Sequence, residues 1–134
     1  MTKCKCRVAI PFRTKSAAMF FVKRNRDGDK CLSFNRSVPS LGNNEMCWGT
    51  PSDAIDASYS IDKHHEGGYI LNYHFVTDEN PPIKWLSMVS TTHGKLKFSI
   101  AYSLSTEPSS EERKVYRGGD CNIHITLQKN CTEK

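Results

Sequence analysis

The chain has 134 residues, 37% of them hydrophobic and 25% charged, with a formal net charge of +5. That is one domain with a real core and too hydrophobic for a disordered tail. No apolar run approaches the ~20 residues a membrane-spanning helix needs, and the longest block, SAAMFFV, is too short for a signal-peptide core. The chain therefore reads either as a cytosolic protein or as a mature secreted domain with an added Met1.

The first element, CKCRVAI, alternates: Cys4, Cys6, Val8 and Ile10 face one way, Lys5 and Arg7 the other. AAMFFVK reads as a second strand and DKCLSF as a third, with Asp27-Gly28 as the turn between them. TPSDA offers one helical turn, with Thr50 as cap and Pro51 in the first position. AIDASYSI puts Ile55, Ala57, Tyr59 and Ile61 in phase, and GYILNYHFV does the same for Tyr69, Leu71, Tyr73 and Phe75. The prolines of PPIKWLSMV mark the start of another strand. GKLKFSIAYSL is the clearest alternation, with Leu96, Phe98, Ile100, Tyr102 and Leu104 inward. PSSEERK suggests a second helical turn capped by Ser109. CNIHITLQK closes the chain with Cys121, Ile123, Ile125 and Leu127 inward. About eight strands separated by turn signals predict an all-β fold, an antiparallel two-sheet sandwich over residues 1–134. Its general architecture would be that of immunoglobulin or ZP-N domains, an analogy of pattern without a shared motif.

Six cysteines in a small β-rich chain predict a disulfide framework: Cys4, Cys6, Cys31, Cys47, Cys121 and Cys131. Zinc would require tight ligand pairs, whereas CKC has one intervening residue and no second pair near it. Cys4 or Cys6 is expected to bridge to Cys121 or Cys131, and Cys31 to pair with Cys47. Glycosylation sequons at Asn35 (NRS) and Asn130 (NCT) point the same way, to a secreted, extracellular glycoprotein.

The first 36 residues hold ten basic residues against Asp27 and Asp29, whereas the rest of the chain holds nine basic and twelve acidic. A one-signed patch steers association with an acidic partner. Arg7, Arg13, Lys15, Lys23, Arg24 and Arg26 are its candidate contacts. The irregular segment VPSLGNNEMCWGTP adds Met46 and Trp48 as contact residues on a loop, with a buried Trp48 as the alternative. Aromatic residues are not interleaved with the basic ones, which disfavours nucleic acid. The predicted function is a non-enzymatic recognition module for an acidic extracellular protein or glycan. The alternative is a small basic secreted ribonuclease or toxin in which His74, His124 and Lys97 share one phosphate as acid, base and electrostatic support. No cofactor or metal is predicted: His64, His65 and Glu66 read as a solvated turn, and RDGDK lacks the spacing of a calcium loop.

Overall fold

The computed structural model describes residues 2–128. In chain order the elements are β1 (Lys3–Phe12), α1 (Lys15–Arg24), α2 (Phe34–Ser37), α3 (Asn44–Trp48), β2 (Ile55–Lys63), β3 (Tyr69–Asp78), α4 (Ile83–Thr92), β4 (Phe98–Leu104), β5 (Ser110–Arg117) and β6 (Asp120–Gln128). The chain is mostly β, and its six strands form one antiparallel sheet in the order β2-β3-β1-β4-β5-β6. Strand β3 lies between β1 and β2, which α1 helps to connect, and β1 lies between β3 and β4, which α4 connects. Two β-α-β units are thus interleaved in the split β-α-β manner. The β5–β6 hairpin extends the sheet on one side.

Alternation creates the core. Cys4, Cys6, Val8 and Ile10 of β1, Leu71, Tyr73 and Phe75 of β3, and Phe98, Ile100 and Tyr102 of β4 are all buried on one face. The helices cover that face. Helix α1 contributes Ala18, Phe21 and Val22, and α4 contributes Trp85, Leu86 and Val89. Phe34 of α2 lies at the centre, with ring centroids 4.8 Å from Trp85, 5.6 Å from Phe75 and 5.8 Å from Trp48. Asp53 holds the α2 turn in place, accepting from the Phe34 N–H at 2.7 Å and from the Ser33 hydroxyl at 2.8 Å.

The second layer is therefore helical, not the second sheet of an immunoglobulin-like or ZP-N-like sandwich. Three segments predicted as strands account for the difference. AAMFFVK lies within α1, where burial falls at 18, 21 and 22, a helical period hidden inside a continuous apolar run. Thr14 caps that helix by accepting from the Ala17 N–H at 3.1 Å, and Lys23 and Arg24 oppose the dipole at its end. PPIKWLSMV is α4, which starts after Pro82 because proline suits a helix start, where a missing N–H costs nothing. DKCLSF follows a tight Asp27–Lys30 turn into α2 and joins no strand. Two predicted helical turns are also corrected: PSSEERK runs into strand β5, and TPSDA forms bends in which the Thr50 hydroxyl donates to the Asp78 carbonyl at 2.7 Å. Pairing of β5 with strands on both sides overrides its local cap signal.

The expected disulfide pairings are not formed among the described residues. Cys4 and Cys6 face the core from β1, while Cys121 is exposed on edge strand β6, with β4 and β5 between them. Cys31 is buried, Cys47 half-buried, and the two are not bonded. Cys131 and the Asn130 sequon lie outside the described residues.

Candidate functional site: the open face of the sheet

The alternation that turns Cys4, Cys6 and Val8 inward turns Lys5, Arg7 and Ala9 to the uncovered face. Strand register aligns Ser58, His74, Arg7, Ala101, Arg113 and Ile125 in one row across all six strands. The neighbouring row is Ser60, Asn72, Ala9, Ser99, Val115 and Ile123. Small residues at the centre, Ala9, Ser99, Ala101 and Ser103, leave two adjoining hollows of about 330 and 400 Å³ that share Arg7, His74 and Ala101. One is walled by Lys5, Asp56 and Glu111, the other by Arg113, Val115, Ile123 and Ile125.

Arg7 and Arg113 flank Ala101 in that row, whose methyl group leaves room for both long side chains. Glu111 joins them. Its Oε1 accepts from Arg7 Nη2 at 3.1 Å and its Oε2 from Arg113 Nε at 2.9 Å. Burial by itself would raise the Glu111 pKa, but the hydrogen bonds and charges of Arg113 and Arg7 outweigh it and hold the carboxyl below its ordinary value. The carboxylate is nearly enclosed, whereas each guanidinium is about half exposed. Each arginine keeps further N–H donors than the one it spends on Glu111, in a fork suited to carboxylate or sulfate oxygens. Around the hollows Lys5, Arg7 and Arg113 set three cations against Asp56 and Glu111.

The other predicted contacts lie elsewhere. Lys15, Lys23 and Arg24 project from α1, and Arg13 and Arg26 flank it, all exposed on the helical layer. The basic first quarter of the chain thus divides between two sides of the molecule. Arg24 sits 5.6 Å from the centre of the exposed Phe20 ring. Met46 is exposed on α3, but Trp48 is 4% exposed, packs on Phe34 and donates its Nε1–H to the Val38 carbonyl at 2.7 Å. Trp48 is a core residue and makes no contact surface. Asn35 is exposed at the α2 turn.

His74 and Lys97 lie on the open face, His74 beside Arg7. His124 is paired with Lys114 on the opposite face of the β5–β6 hairpin and bonds Glu112. The sheet itself separates the two histidines, so the predicted His–His–Lys phosphate site is not assembled. His64 and His65 stack at 4.5 Å, with the His64 Nδ1 accepting from the Glu66 N–H at 3.1 Å. One ligand atom from each of His64, His65 and Glu66 lies within 4.8 Å of the others at this turn. The Cys4 and Cys6 sulfurs are 3.7 Å apart and buried. The Cys6 thiol donates to Cys4, which lowers the Cys4 pKa and, with burial, raises that of Cys6.

Glu111, Arg113 and Ala101 were not singled out in the sequence. The signal was present: Glu111, Arg113 and Val115 alternate with strand period, but the Ser-Ser-Glu-Glu run imitates a helix cap. Comparison with known protein families, with curated proteins and with solved structures gives no match to this chain.

Proposed function

We propose that the protein is a non-enzymatic recognition module that engages an acidic partner, protein or glycan, through the open face of its sheet. The observation that carries this reading is the Arg7–Glu111–Arg113 arrangement over Ala101, which pre-orders two guanidinium groups in a shallow hollow. Pre-ordering matters because binding then spends little side-chain entropy on fixing long cations. Lys5 and the exposed His74 extend the same surface. The extracellular setting belongs to the same reading and rests on the cysteine number and the Asn35 and Asn130 sequons.

The test is titration of the protein with a sulfated oligosaccharide and, separately, with an acidic peptide, at low and moderate salt. Arg7→Ala with Arg113→Ala is expected to weaken binding by about tenfold or more, with affinity falling as salt rises. Lys15→Ala with Lys23→Ala and Arg24→Ala, on the helical layer, is expected to leave affinity within about twofold. The reverse pattern would move the site to α1 and overturn the assignment. Quantitative labelling of thiols in native protein from its natural source tests the setting. Unreactive, reducible cysteines support an extracellular location, and six free thiols count against it.

A further inference from the structure

Among the described residues, one set of three His, Cys, Asp or Glu side chains brings a ligand atom from each within 4.8 Å of the others: His64, His65 and Glu66. Neighbouring residues on a strand point to opposite faces and do not share an ion. The turn between β2 and β3 removes that alternation. It is closed by the His64 N–H donating to the Gly68 carbonyl at 2.9 Å and the Gly67 N–H donating to the His64 carbonyl at 3.0 Å. Gly67 and Gly68 have φ values of 103° and 79°, and a side chain on Gly68 would meet the Phe12 carbonyl oxygen at 2.7 Å. The turn is thereby pinned against the end of β1. Within it the imidazoles of His64 and His65 lie together, their ring centroids 4.5 Å apart.

We propose that His64, His65 and Glu66 form a binding site for a divalent transition-metal ion, with zinc as the best-matched occupant. Two imidazoles and one carboxylate make a ligand set of borderline softness. It lacks the thiolates that favour Cu(I) and the all-oxygen shell that magnesium and calcium take. Zinc–ligand distances of about 2.0–2.1 Å place the donor atoms of a tetrahedral site about 3.4 Å apart. The three atoms here close the remaining gap by side-chain rotation, because His65 and Glu66 are exposed and His64 is half-buried. Ligation exchanges one hydrogen bond. The His64 Nδ1 gives up the Glu66 N–H that it accepts at 3.1 Å, and water takes its place at this exposed residue.

Three protein ligands leave a fourth position for water or a ligand atom, the arrangement of a zinc site that stays open. His64 and Glu66 also line a hollow of about 490 Å³ on the open face, with Ala9, Tyr69, Ser99 and Lys97. Lys97 is the one lysine or arginine lining it, and the Glu66 carboxylate offsets that charge. The ion would sit at the rim of this hollow, near the end of β1 opposite Lys5, and add two positive charges to the open face. Arg7, Glu111 and Arg113 do not line the hollow, so the metal site stands apart from the arrangement that carries recognition.

Isothermal titration of the full chain with zinc chloride, in a buffer free of chelators, tests the site. One equivalent is expected to bind with a Kd of about 1–50 μM, and magnesium chloride is expected to give no heat of binding. His64→Ala with His65→Ala is expected to weaken that binding by about tenfold or more, Glu66→Gln by about three- to tenfold, and His124→Ala by less than about twofold. Zinc is also expected to shift the imidazole proton resonances of His64 and His65 in the unaltered chain, a readout that depends on no variant folding, and to leave those of His93 and His124 in place. Zinc binding weaker than about 1 mM, zinc binding unchanged by the double histidine substitution, or His64 and His65 resonances that do not move would each overturn the assignment.

Discussion

The two faces of this sheet come from the same strands and follow opposite rules. The covered face carries Cys4, Cys6, Val8, Ile10, Leu71, Tyr73, Phe75, Phe98 and Ile100, all shielded by helices. The open face carries Lys5, Arg7, Ala9, Asn72, His74, Ser99, Ala101 and Arg113 on intervening positions. On the first, stability depends on volume and shape, because a dry interior has no solvent to fill a gap. On the second, water compensates for most changes, so the same residues are free to specialise in charge. The difference teaches where a substitution should register. Covered-face changes move stability and leave recognition to the surviving folded fraction. Open-face changes move recognition and barely alter stability.

The strongest challenge to that contrast is Trp85→Ala. Trp85 is fully buried, stacks near Phe34 and donates its Nε1–H to the Ser37 hydroxyl at 2.8 Å. Its truncation is expected to cost about 3–5 kcal/mol in chemical denaturation. A cost below about 1 kcal/mol would mean that the helical layer does not close the core. Next comes Asp53→Ala, which removes the acceptor for the Phe34 N–H and the Ser33 hydroxyl and the ion pair with Lys30 at 3.7 Å. A loss of about 1–2 kcal/mol is expected, the scale of a lost helix cap.

The smallest effect lies on the open face. Glu111→Gln keeps the shape of the side chain and removes its charge, with an expected stability loss of about 1 kcal/mol or less. The sign of its pH dependence follows from the lowered carboxyl pKa. The Glu111 contribution is complete above the ordinary glutamate value of about 4.3 and is lost as pH falls through the depressed folded-state value. Glu111→Gln should therefore lower stability across the neutral region and converge with the wild type in acid, which flattens the acid limb. An acid limb identical in both proteins would show that Glu111 is not ionised between the two arginines in solution.

Some of this was legible in the residues. The phases of β1, β3 and β4 and the Ala57, Tyr59 and Ile61 set of β2 were readable because burial on one face enforces a period of two, whereas the bulge before Ser58 takes Ile55 out of that phase; the Gly-rich runs HHEGG and RGGD mark two of the three hairpins. Helices α1 and α4 were not, since short continuous apolar runs satisfy either period and only packing selects one. Strand β6 is the instructive failure. Its alternation is regular, but alternation states only that two faces differ, and the structure turns Ile123, Ile125 and Leu127 to the open face.

By itself, the sequence determined a mostly β chain, the inward sets of β1, β3 and β4 and the positions of two hairpins, because these depend on neighbours a few residues apart. Only the tertiary structure decided that helices form the second layer, that Trp48 is buried, and that Cys121 lies two strands beyond the β4 neighbour of β1. It also decided that Arg7 meets Arg113 across Glu111, a contact spanning more than a hundred residues of chain. Strand order sets such contacts, and strand order is chosen by the packing of the whole core, which no local pattern encodes.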